Sequence, residues 1–139
     1  MLMGEYSHTL DAKGRMIFPA RLREELGGTF VVTRGLDNCL YVYSLAEWDK
    51  LSEKLVAQPF SKGSKLLRFM FSKAGRVEAD KQGRILIPMN LRGYAGIDKD
   101  VVVVGVGNHA EIWDKDKWAE FESTMDADDI AKAMDELGF

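Results

Sequence analysis

Apolar residues recur along this chain of 139 residues with two different periods. Some stretches alternate or run apolar for three to five residues, the habit of strands. Others return every three or four residues, the habit of helices. Tyr6 to Leu10 reads as a strand, 11–14 as a tight turn, and Arg15 to Phe18 as a second strand. Pro19 opens a short helix ending near Leu26, just ahead of Gly27 and Gly28. Proline at the first helical position and glycine past the last are the expected punctuation. Phe30 to Thr33 and Leu40 to Tyr43 read as strands around a turn at 35–38. Leu45, Trp48, Leu51 and Leu55 share one face of a helix over 45–58. Further strands are expected near 75–79, 84–87, 101–105 and 110–113, and a helix over about 115–137 that breaks near Asp126. Leu66, Leu67, Phe69, Met70 and Phe71 fit a buried strand or a buried helix, and helix is favoured over 61–72.

These elements repeat. The run from Asp11 to Arg23 returns from Asp80 to Arg92 at an offset of 69, with Asp, Gly, Arg, Pro, Leu and the final Arg in register. At offset 70 the likeness continues through Val31/Val101, Gly35/Gly105, Asn38/Asn108 and Trp48/Trp118. Internal repetition outranks other signals when a fold is read from sequence. Short strands with few helices cannot each bury a face alone, so the two halves are expected to close on each other as one small β-barrel with a pseudo-two-fold axis.

Composition narrows the class. Apolar residues at 46% and charged residues at 29% argue against disorder. A chain this long buries roughly 68–70% of its unfolded surface and needs no disulfide or metal to be stable. The single Cys39 excludes an internal disulfide. No apolar run approaches the ~18–20 residues of a membrane span, and the first residues lack the basic and apolar regions of a signal peptide. A cytoplasmic, soluble protein is expected. The net charge of −3 is unevenly spread: 114–139 holds nine acids and three bases, a balance of −6, which leaves +3 on the rest. Between 60 and 76 lie Lys62, Lys65, Arg68, Lys73 and Arg76 with no acid. They read as a solvated face alternating with Leu67 and Met70, with a nucleic-acid role left open.

The two Asp-x-x-Gly-Arg turns carry the candidate chemistry. Asp bonds the backbone two residues on, and Gly supplies a positive φ. An Arg four residues after the Asp can pair with it and close the hairpin. A purely structural turn does not require Arg rather than Lys twice in register, whereas the planar fork of Arg suits phosphates and guanine edges.

The order strand, Asp-x-x-Gly-Arg, three apolar residues, Pro, two residues, Leu-Arg resembles the AbrB-type DNA-binding half. Its doubling in one chain, from Gly4 to about Trp118, resembles the MraZ family. The resemblance implies a mostly β fold with added helices: a swapped-hairpin β-barrel of two pseudo-two-fold related βαββ-type repeats. It implies a first repeat over 4–60, a connecting helix over 61–72, and a second repeat over 73–139 ending in an acidic helix. It further implies a nucleoid-associated transcriptional regulator and not an enzyme. Such a regulator represses its own division and cell-wall operon by binding promoter-proximal direct repeats as a closed ring of identical chains. Carried over by position, the DNA-binding set is Lys13, Arg15, Arg21, Arg23, Lys81, Arg84 and Arg92, and the motif turns are held by Asp11, Gly14, Asp80 and Gly83. The family's second Arg after Leu-Arg is here Glu24 and Gly93, and the basic residue before the Asp is His8 in one half and Val77 in the other. The first half keeps more of the basic set, so it is expected to contribute more.

No cofactor, metal or small-molecule substrate is expected. His8 and His109 have no second ligand at metal spacing, and Cys39 has no His-Asn or His-Asp set. Gly105-Val-Gly-Asn108 matches the turn at 35–38 rather than a dinucleotide loop. Trp48 and Trp118 are read as core. Two alternatives have a different character: an antitoxin-like interaction protein whose acidic tail binds a basic partner, and a small barrel enzyme, for which no catalytic set stands out.

Overall fold

In the computed structural model, which describes all 139 residues, the elements run β1 (Leu2–Thr9), β2 (Arg15–Ile17), α1 (Ala20–Leu26), β3 (Thr29–Arg34), β4 (Leu40–Ser44), α2 (Leu45–Val56) and α3 (Phe60–Phe71). They continue as β5 (Gly75–Glu78), β6 (Arg84–Leu86), α4 (Met89–Ala95), β7 (Asp100–Gly107), β8 (Ala110–Asp114), α5 (Lys115–Ser123) and α6 (Ala127–Glu136). Each half is therefore ββαββ followed by helices, one strand more than a βαββ unit. Local chemistry sets the helix ends. Pro19 and Pro88 precede α1 and α4, the Ser44 hydroxyl accepts from Glu47 N–H at 3.1 Å, and the Asp114 carboxylate accepts from Lys117 N–H at 3.1 Å. The acidic C-terminal stretch breaks where expected, with Asp126 capping α6.

Six strands form one antiparallel sheet in the order β1-β7-β8-β4-β3-β5, and β2 pairs with β6 as a separate two-stranded ribbon. The expected barrel is thus not closed by strand pairing: β1 and β5 are edges of an open sheet. The halves are nevertheless interlocked. β1 pairs with β7, β5 with β3, and β2 with β6, so each half completes the other's ladders. Met16 pairs with its own repeat mate Ile85, and Tyr41 with Glu111, which puts the local two-fold through both pairs.

A cluster of 20 buried residues fills the space between the sheet, the ribbon, α1 and α4, with Phe18 against Phe30 at 5.1 Å between ring centroids. The opposite sheet face is covered by helices. Trp113, Trp118 and Phe121 pack over Val102 and Val104, while Leu55 of α2 and Met70 of α3 cluster with Tyr43 of β4. That double cover explains the unbroken Val101–Val104 run, since a strand buried on both faces has no reason to alternate. The end of α3 is pinned to β3, where the Thr33 hydroxyl donates to the Met70 carbonyl and Arg34 Nε to the Phe69 carbonyl.

Candidate nucleic-acid interface

The two Asp-x-x-Gly-Arg turns adopt the same geometry. Asp11 Oδ1 accepts from the backbone N–H of Lys13 and of Arg15, each at 2.9 Å, and Oδ2 accepts from Arg15 Nε at 2.8 Å. Asp80 accepts likewise from Gln82 and Arg84 N–H at 2.9 Å and from Arg84 Nε at 2.8 Å. Gly14 and Gly83 lie at φ +80° and +78°, in the left-handed region that a side chain resists. The Arg15 backbone N–H stabilises the charged Asp11 carboxylate most and outweighs the opposing loss of solvation; with the Arg15 side chain and the Lys13 N–H it holds the pKa below the ordinary value. Arg84 and Gln82 do the same for Asp80.

These bonds occupy only the Nε edge of each guanidinium. The two terminal nitrogens of Arg15 and Arg84 make no hydrogen bond to protein, and each side chain stays about a third exposed. The Asp therefore fixes the orientation of the fork and leaves its bidentate edge free. Both forks share one surface. Met16 and Ile85 point inward and are buried, so Arg15, Ile17, Arg84 and Leu86 form the outer face of the ribbon. Arg15 lies opposite Leu86, and Arg84 opposite Ile17. The two Arg are thus diagonal neighbours, roughly 7–8 Å apart. Between them Ile17 and Leu86 are 52% and 53% exposed. Met89, at the start of α4, is more exposed still.

The remaining basic residues divide. Lys13 and Lys81 are exposed on the turns, and Arg21 is exposed on α1. Arg23 and Arg92 are half-buried, and each touches both halves. Arg23 Nε donates to the Phe18 carbonyl at 3.0 Å, and its guanidinium covers Gly83, where an added Cβ would lie 2.6 Å from Nη2. Arg92 Nε donates to the Ile87 carbonyl at 3.0 Å and covers Gly14, where a Cβ would lie 2.7 Å from Cζ. The backbone repeats the exchange: Phe18 N–H donates to the Gly83 carbonyl and Ile87 N–H to the Gly14 carbonyl, each at 3.0 Å. Each turn is thus built by both halves. The repetition of Arg at 23 and 92 was the only sequence signal for this.

The other candidates sit in packing environments. Trp48 stacks among Tyr43 and Phe71, and Trp118 packs on Trp113 and donates to Glu5 at 2.7 Å. His109 is stacked against Tyr43. Cys39 is buried, and loss of solvation drives its thiol far above the ordinary range, the wrong direction for a nucleophile. No helix is long and apolar enough to cross a membrane.

Comparison with known proteins agrees with the repeat. The family model described as "MraZ protein, putative antitoxin-like" matches the chain twice, over residues 1–67 and 70–138. A protein of Acetivibrio thermocellus named transcriptional regulator MraZ is 51% identical over 142 residues, covering 99% of both chains. Proteins of the same name from Clostridium beijerinckii, at 53%, and a Thermoanaerobacter species, at 52%, align over 141 residues and also cover 99% of each chain. The chain belongs to the MraZ family.

Proposed function

We propose that the chain is a DNA-binding transcriptional regulator that represses its own division and cell-wall operon, bound to promoter-proximal direct repeats as a ring of identical copies. One observation carries the reading: the outer face of the β2–β6 ribbon presents two Arg forks, each oriented by its own Asp and free at its bidentate edge. A two-stranded ribbon fits the major groove, where an Arg fork pairs with the O6 and N7 of guanine. In this reading Arg15 and Arg84 meet base edges, and Lys13, Lys81 and Arg21 meet phosphates. Arg23 and Arg92 add charge from the seam between the halves. The names of the relatives support the regulatory role.

The same reading takes the sheet and ribbon as a swapped-hairpin barrel. The backbone bonds from Leu10 to Lys99 and from Ala79 to Gly28, which link the halves beyond the strand ladders, support it. A ring follows from the charge, because a body of +3 makes few phosphate contacts alone and several copies on consecutive repeats make many. A gel shift with duplex from upstream of the chain's own gene, at low salt and micromolar protein, tests the proposal. A retarded band is expected, and no shift under those conditions contradicts it. The antitoxin-like description favours one further reading, in which the acidic tail holds a basic partner. A basic protein encoded beside the gene and co-purifying with the chain would support that instead.

A further inference from the structure

The large apolar residues left in solvent include three groups. One is the ribbon face. A second surrounds the basic helix α3: Val56 ends α2, Phe60 starts α3, and Leu66 borders the outward row of Lys62, Lys65 and Arg68. The third lies on α6 and its C-terminal cap, where Ile130, Met134 and the capping Leu137 recur at helical spacing and are 49%, 48% and 76% exposed. Asp128, Asp129, Asp135 and Glu136 line the rest of α6 against a single Lys132. An amphipathic helix of this kind normally hides its stripe, yet α6 buries none of its residues.

The repeat shows what is missing. α6 follows α5 as α3 follows α2. In the first half α3 folds back on α2, burying Met70 and setting Phe71 against Trp48 at 5.1 Å. In the second half the corresponding helix stands unpaired.

We propose that α6 of one copy docks on the α2–α3 pair of a second copy, its apolar stripe over Val56, Phe60 and Leu66 and its acids beside Lys62, Lys65 and Arg68. Opposite charge on two surfaces that are each part apolar selects a second copy of this chain as the occupant. Exchanged reciprocally between two copies this contact gives a dimer; passed from copy to copy it is heterologous and closes a ring where the rotation allows, and the ring in the proposed function selects the second arrangement. The inference rests on the assembly part of the proposed function and not on DNA binding.

Light scattering on three full-length proteins tests it. The parent is expected at several times 15.6 kDa. The variant Lys62→Glu/Lys65→Glu, whose side chains are exposed and whose fold is checked by circular dichroism, is expected to fall to the mass of one chain. Adding Asp128→Lys/Asp135→Lys to that variant is expected to restore the parent mass. An α3 variant that keeps the parent mass overturns the docking while leaving assembly through another surface. A compensated variant that remains monomeric overturns the charge pairing. A monomeric parent overturns both the docking and the ring, whether α6 then folds back on its own chain or holds a basic partner.

Discussion

Each Asp-x-x-Gly-Arg turn depends on a glycine, an Asp–Arg pair and an Arg from the opposite half. Replacing Gly83 with Ala forces a side chain into the left-handed region, at about 1–2 kcal/mol, and displaces Arg23 from its seat. Denaturant unfolding should register that loss, whereas Gly28→Ala, with no atom within 4 Å of the new Cβ and no left-handed backbone, should change stability by less than about 0.5 kcal/mol. Arg15→Ala is expected to weaken DNA binding more than Arg84→Ala with an unchanged circular dichroism spectrum, because Lys13 and Arg21 surround the first turn while Gln82 and Asn90 hold the matching places in the second. Equal losses would remove the asymmetry. The depressed Asp11 and Asp80 pKa values mean that the stabilisation they give the turns is complete above the ordinary value of 3.8 and is lost only as pH falls through the lower folded values. Carboxyl carbon NMR should show both midpoints below 3.8, and midpoints at or above it would contradict the turn geometry. The Asp–Arg pairing was legible in the sequence, since four residues across a tight turn bring the two together. The covering of Gly83 by Arg23 was not, because it joins distant segments through a fold that the spacing alone does not reveal.

Elements were read well where local chemistry decides them and less well where partners do. Pro19, Pro88 and Asp126 mark real helix boundaries, and the ambiguous apolar run over 61–72 is the helix α3. β1 is longer than Tyr6 to Leu10 because its ladder with β7 begins at Leu2. Met3 and Glu5 show no strand-like alternation with a core, and only the cross-half partner draws them in. Gly105 lies directly under the backbone of Leu2 and Met3. Gly105→Ala should therefore pry β1 from β7, seen as faster amide exchange in β1 while β3 and β4 stay protected; unchanged exchange would deny the close approach. Gly93 in α4 has open space around it, so Gly93→Ala should stabilise the protein by about 0.4–1 kcal/mol in thermal unfolding.

The repeat made the two-fold plan of the whole molecule legible, but not the way the halves share strands. Periodicity identifies strands and is silent on which strands pair, so a closed barrel was expected where the hydrogen bonds make an open sheet and a ribbon. The split of charge was likewise visible, though only the structure shows that the acidic helix is bare while the basic one is packed. What the fold achieves is to bring two turns 69 residues apart onto one face, each locked by the other half. In the proposed function this face reads DNA through Arg15 and Arg84. A fluorescence anisotropy titration of upstream duplex with the parent and the Arg15→Ala/Arg84→Ala variant tests it most directly. Two lost bidentate contacts, each worth at least about 1 kcal/mol, predict a loss of affinity of about thirtyfold or more. A variant that binds like the parent, with its circular dichroism unchanged, would show that the Asp–Arg turns only hold the ribbon together.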